Sequence, residues 1–214
     1  GVWAVKYPRW FRRNRFQARL AGNRKGAVAL ELALVAPVAL VLRLGAADMI
    51  VEFRNWMRLH SVTTQVGQII AQCQHISDPY DLNVFFADAQ QIAAPLDIVG
   101  TTNGAVIITA IGPDSNNKLA IYWQKQVGST TFKSGITSAS LSQYAISGVS
   151  MNPAQTFIAV EAFARPGLWQ FASGLMTNRD SPVLSSQSVL PARFFGTNIG
   201  VGKLDTTATA KECT

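Results

Sequence analysis

Eight basic residues and no acid stand directly before the most apolar stretch of the chain, and that junction constrains the fold more than any other feature. Lys6, Arg9, Arg12, Arg13, Arg15, Arg19, Arg24 and Lys25 lie within residues 1–26. The run from Ala27 to Leu42 follows, interrupted only by Glu31 and Pro37. After Arg43 the apolar pattern resumes with Leu44, Ala46 and Ala47 and reaches Met49, Ile50 and Val51. A bilayer core needs about 20 predominantly apolar residues in a helix, and residues 27–51 are long enough to supply them. A basic flank on one side alone orients such a helix with that flank in the cytoplasm. The expectation is a basic cytoplasmic leader over 1–26, a transmembrane helix over 27–51 and an exported remainder.

Charge and composition narrow the function classes. Beyond residue 26 the chain holds 11 Lys/Arg against 12 Asp/Glu, so the overall charge of +7 belongs to the leader and not to the body. A nucleic-acid-binding domain carries its basic surface on the folded part, and no nucleic-acid partner is expected here. Charged residues make up only 14% of the chain, well below the roughly 25% of an average soluble domain, which argues against disorder. Two cysteines and two histidines are too few for a disulfide scaffold or a His-rich metal site. Cys73 and His75 form a C-x-H pair, but two ligands do not make a zinc site. The glycines at 196, 200 and 202 lack the strand and helix that a dinucleotide fingerprint needs. No nucleophile, base and metal set can be assembled, so the expectation is a non-enzyme without cofactor or metal. Trp3, Tyr7, Trp10, Phe11 and Phe16 interleave with the leader's cations, a mixture suited to an anionic membrane surface.

The apolar segment admits three readings that differ in where the chain is cut. A secretory signal peptide would place Gly45 and Ala47 at the −3 and −1 positions and leave Asp48 as the new N-terminus. An uncut signal anchor would keep the whole helix in the membrane. The third reading turns on Glu31, since a carboxylate at the centre of a membrane helix costs on the order of 2.5–3.5 kcal/mol on insertion scales and by default marks function.

Lys25-Gly26 followed by Ala27-Val28-Ala29-Leu30-Glu31 resembles the prepilin-peptidase site of type IV pilins. The longer string from Arg24 to Pro37 closely resembles the start of TadE-like proteins, minor pseudopilins of the tight-adherence (Flp, type IVb) pilus assembly system. The similarity is good over residues 24–60. Thr156 to Arg165 and Ser185 to Arg193 more weakly resemble late strands of the family. The resemblance implies that Gly26 ends the leader, that Ala27 becomes the mature N-terminus and that Glu31 is its fifth residue. It also implies a pilin-like fold and a bacterial inner-membrane location, with the head periplasmic or on the cell surface. The implied partners are prepilin peptidase, other pseudopilins or the Flp pilin, and the Tad machinery, with a role in pilus assembly, adhesion and biofilm formation. Leu32 follows Glu31 where the Flp major pilin commonly has tyrosine, and the chain is much longer than that pilin; both departures favour a minor pseudopilin. Arg43 lies about 24 Å along the helix from Ala27 and would snorkel toward the outer interface. A c-region beginning at Arg43 would instead favour the cut after Ala47.

The rest of the chain reads as a helix continuing from the membrane over 52–76, then an α+β head over 77–214. Leu59, Val62, Val66, Ile69, Ile70 and Cys73 make a stripe at helical spacing, with Gln65, Gln68 and Gln72 mainly opposite. Pro37 should kink the span. Ser77-Asp78-Pro79 and Asp81 predict a helix start, with Asp78 and Asp81 as capping acids, and the helix should stop before Pro95. Ala105–Ile111 and Leu119–Val127 predict a hairpin, Phe157–Ala164 a central strand and Val183–Leu190 a last strand, in an antiparallel sheet of three to five strands. In an exported head, Cys73 and Cys213 would meet an oxidising compartment and could bridge, pinning the C-terminal tail to the long helix.

Overall fold

The computed structural model describes residues 24–116, 118–141, 155–167, 183–194 and 202–213. The leader's aromatic residues, Gly196 and Gly200 lie outside them. Helix α1, Arg24–Gln72, is a single element of 49 residues. It is followed by β1 (Ile76–Ser77), α2 (Tyr80–Ala93), β2 (Gly104–Pro113), β3 (Leu119–Gly128), β4 (Phe157–Ala164), β5 (Leu184–Pro191) and β6 (Leu204–Asp205). The layout is α+β: a long N-terminal apolar helix and an antiparallel four-stranded sheet of order β3-β2-β4-β5. A parallel two-stranded pair, β1 with β6, closes the C-terminal end of the chain onto the turn after α1.

Strand β4 lies between β2 and β5, as its sequence predicts, and the alternation of its side chains separates two cores. Ile158, Val160, Ala162 and Ala164 join Val106, Ile108 and Ala110 of β2 beneath Leu59, Val62, Val66 and Ile70 of α1 and Leu82, Phe85 and Ala89 of α2. Ala159, on the other face, meets Ile111 and the loop residues Ile136 and Leu141. Both faces of β4 are therefore covered, which is why it reads as a nearly unbroken apolar run. Glu161 is the exception. Its carboxylate accepts hydrogen bonds from the Ser134 hydroxyl and the Gly135 amide (3.0 Å), tying the 129–141 loop to the sheet. At 4% exposure, an acid without those donors would carry an unpaid desolvation cost of several kcal/mol.

The hairpin forms because Asp114 organises its turn: the carboxylate accepts the amides of Asn116 (2.7 Å) and Lys118 (2.8 Å). Those donors hold the Asp114 carboxyl below the usual range. Gly128, at φ +94°, ends β3 where a Cβ would meet the Gly104 carbonyl at 2.5 Å. Gly67 sets the approach of α1 to the sheet, since a Cβ there would meet Leu190 Cδ1 at 2.5 Å. Around it the Ser188 hydroxyl donates to the Thr63 carbonyl at 2.6 Å, and the Thr63 and Ser186 hydroxyls meet at 3.2 Å.

Two details depart from the sequence reading, and a third agrees with its placement of Pro37 within the helix. The apolar stripe carries the long helix to 76, whereas α1 ends at Gln72 and Ile76 opens β1, drawn out of helical geometry by its pairing with Leu204. Ile69, expected in the stripe, is 43% exposed, while Thr63 takes a buried place beside Val62. Pro37 lies inside α1 without ending it; its missing N–H leaves the Ala33 carbonyl without the usual partner four residues on.

Candidate functional site

Among the described residues nothing packs on α1 from Val28 to Leu42. Val28, Leu30, Leu32, Leu34, Val35, Val38, Leu40, Val41 and Leu42 are all at least half exposed. A helix apolar all round belongs in a protein core or in a membrane, and here no core covers it. By length and composition Val28–Gln72 is the one helix among the described residues able to cross a bilayer, and its most apolar window is wholly unburied.

Within that segment the sequence-predicted residues fall in order along one rod. Gly26 lies in the first turn of α1, with open space where a Cβ would stand. Ala27 and Glu31 stand four residues, about one turn, apart along α1. Glu31 is exposed and is the only ionisable residue between Ala27 and Leu42. Ala47 and Asp48, the alternative cleavage point, lie within the same unbroken helix, and Asp48 is only 6% exposed.

From Asp48 onward α1 becomes two-sided. Asp48, Asn55, Leu59, Val62 and Val66 are buried toward the head, at spacings that keep them on one face. On another face Met49, Ile50, Phe53, Trp56 and Met57 stay between 45% and 67% exposed. They follow the same helical period, and Phe53, Trp56 and His60 stack in sequence with centroids 6.3 and 5.9 Å apart. The exposed apolar surface of the span thus continues for about two turns past the point where the head begins to cover the helix. Contiguous exposed apolar surface of this kind marks contact with a membrane or a partner.

The C-terminal end of α1 carries the second constellation. Cys73, one residue past the helix, is joined by a disulfide to Cys213, with Cα atoms 4.9 Å apart. Beside it Asp81, 2% exposed, gathers the tail. One carboxylate oxygen accepts the Ser77 amide (2.8 Å), the Ser77 hydroxyl (2.7 Å) and the amides of Glu212 (3.0 Å) and Cys213 (3.1 Å). In return the Asp81 amide donates to the Ser77 hydroxyl at 3.2 Å. The sequence makes Asp78 and Asp81 capping acids of α2, but the helix starts behind Pro79 with no side-chain cap: Asp78 pairs with Lys125 at 2.6 Å, and Asp81 holds a tail that no local pattern reveals, because Glu212 stands 131 residues away. His75, adjacent to the disulfide, is exposed. Among the described residues no group of three or more His, Cys, Asp or Glu is placed to hold a metal ion.

Burial pushes the Asp81 carboxyl up, but the donors from Ser77, Glu212 and Cys213 outweigh it and hold the group below the usual carboxylate range. A depressed pKa in the folded state contributes stability that is full above the unfolded value of about 3.9 and is lost as pH falls through the lower folded value. Acid titration should therefore loosen the tail below about pH 4. Hydrogen exchange at the Glu212 and Cys213 amides would follow it, and Asp81→Asn should flatten that acid limb. An unchanged acid limb in Asp81→Asn would show that other carboxylates set it.

No family model, curated protein or solved structure matches the chain.

Proposed function

We propose that the chain is a minor pseudopilin of a tight-adherence pilus system, similar to TadE-like proteins, acting through helix–helix packing and not through catalysis. The observation that carries this reading is the continuous exposed apolar surface of α1, which runs from the span past Asp48 to Met57 while the opposite side is buried against an antiparallel sheet. A helix that only anchored a soluble head would need no apolar face beyond the bilayer. A subunit whose helix packs beside others needs one that continues into the head, and this is the pilin-like plan. Gly26, Ala27 and Glu31 at the processing spacing, behind a basic leader, add to it. On this reading prepilin peptidase cuts after Gly26, the leader stays in the cytoplasm, and the head stands in the periplasm or on the cell surface.

The deciding measurement is the mature N-terminus, by intact mass on membrane fractions prepared with a prepilin peptidase. The expected start is Ala27, which removes residues 1–26 and leaves Glu31 fifth. A start at Asp48 would make the chain a secreted ligand- or partner-binding domain, and an intact leader would make it a signal-anchored one. Either result ends the pseudopilin reading.

A further inference from the structure

Above the bilayer α1 keeps an apolar stripe, Met49, Ile50, Phe53, Trp56 and Met57, that no described residue covers. Twenty residues from Val28 end at Ala47, which is about the 30 Å of a bilayer core. Trp56 and Met57 then stand roughly 13–15 Å beyond that boundary, past a headgroup layer of roughly 5–7 Å, so lipid does not cover them. Farther along the helix β5 takes over this face. The Ser186 hydroxyl lies 3.5 Å from His60 Nδ1, and a Cβ at Gly67 would meet Leu190. The uncovered stretch is thus bounded below by the membrane and above by the head.

We infer that a second copy of this chain covers the stripe, through parallel pairing of two α1 helices about a two-fold axis along the membrane normal. The inference rests on the pseudopilin reading, which holds every copy in one membrane in one orientation and so makes the helices parallel. Phe53 lies at the middle of the stripe. At about 100° per residue, Met49 and Trp56 fall on one side of it, Ile50 and Met57 fall on the other, and Glu52 and Arg54 mark the two edges. A two-fold axis sets each side of one helix against the opposite side of its partner. On the first side Met49, Glu52, Phe53 and Trp56 form, with Leu184 of β5, a hollow of about 290 Å³. On the second side Ile50 and Met57 stand exposed. Each copy therefore offers both a hollow and the side chains that fill the other's. The edges match as well, because Glu52 of one copy comes beside Arg54 of the other, twice, across axes roughly 8–10 Å apart. Among the described residues neither forms an ion pair within its own chain. An unrelated helix would have to reproduce both this shape and this order of charges.

The full chain, made in cells with a prepilin peptidase and left in its membrane, tests this by thiol cross-linking with a short bismaleimide. Both native cysteines are held in the disulfide, so one introduced cysteine is the only thiol. Phe53→Cys, and Met57→Cys with Phe53 intact, should each give a product of twice the chain's mass. Arg58→Cys, at the same level but about 140° round the helix from Phe53, should give roughly tenfold less. In the Met57→Cys background, Glu52→Arg or Arg54→Glu alone should lower the dimer yield roughly fivefold, since each replaces two attractions by two repulsions. The two exchanges together should restore it, which only a partner carrying the same two residues allows. In a membrane-bound chain that starts at Ala27, absence of dimer at both positions, equal dimer at Arg58→Cys, an adduct of another mass, or no restoration by the double exchange would each overturn the pairing alone. A chain cut before Asp48, or found outside the membrane fraction, would overturn the pseudopilin reading and the parallel pairing with it.

Discussion

Reducing the disulfide between Cys73 and Cys213 should lower the stability of the head by about 3–5 kcal/mol, the largest effect expected of any change outside the span. The bridge spans 140 residues, and closing a loop of that length removes about 5 kcal/mol of chain entropy from the unfolded state in the simplest account. The loop takes in nearly the whole head, from the turn after α1 to the last described residue. The tail also has other holds: the β1–β6 pair, the Asp78 amide on the Asp205 carbonyl at 2.8 Å, and the Asp81 carboxylate on Glu212 and Cys213. Those hydrogen bonds contribute about 1 kcal/mol each, too little to restrain the tail once its covalent link is cut. Cys73→Ser with Cys213→Ser, compared with wild type in the same detergent, should melt roughly 10 °C lower, as expected for a domain of this size. Alkylation should label no thiol before reduction and two after it. A shift of only a degree or two would mean that the tail frays by itself and that the bridge stabilises only the tail.

Elements governed by local periodicity were legible in the sequence. The 3.6-residue stripe located the head-facing side of α1, Pro79 and Pro95 bracketed α2, and the turn around Asp114 located the hairpin. The doubly apolar run 157–164 identified the middle of the sheet. What escaped depends on partners distant in the chain. Ile76 continues the stripe of α1 and leaves it only because Leu204 pairs with it. Ile69 fits the period but is 43% exposed, while its neighbour Ile70 takes the fully buried place. Glu161 looks like a flaw in a strand until Ser134 and Gly135 fold over it. The proposed processing site is the reverse case. On the pseudopilin reading Gly26, Ala27 and Glu31 would be a local pattern read before any fold exists, and the fold adds only that the three lie on one uninterrupted helix.

Under the pseudopilin reading, Glu31→Ala should abolish pilus assembly, or cut it more than tenfold, while membrane insertion and the melting of the head stay as in wild type. Leu30 and Leu32 beside it are each 69% exposed, and the apolar surface extends all round the rod. Such a surface packs against a neighbouring helix equally well when slid along it by one turn, about 5.4 Å. Only a feature that breaks the uniformity can choose a register, and between Ala27 and Leu42 Glu31 is the one ionisable side chain. Once the bond after Gly26 is cut, the new α-amino group of Ala27 lies about one turn from Glu31 along α1. A neighbour's amine can then meet this carboxylate in one register and not in the next. A buried ion pair stabilises little on balance, yet leaving one partner alone costs about 3–5 kcal/mol, and that difference is what discriminates between registers. Glu31→Gln keeps the shape and removes the charge, so it should behave like alanine if the pairing is ionic. Sheared surface pili quantified by immunoblot would read the effect directly. Assembly at the wild-type level in both variants would remove Glu31 from the mechanism, and the register would then have to come from a later break in the apolar surface, of which Arg43 is the first exposed charge along α1.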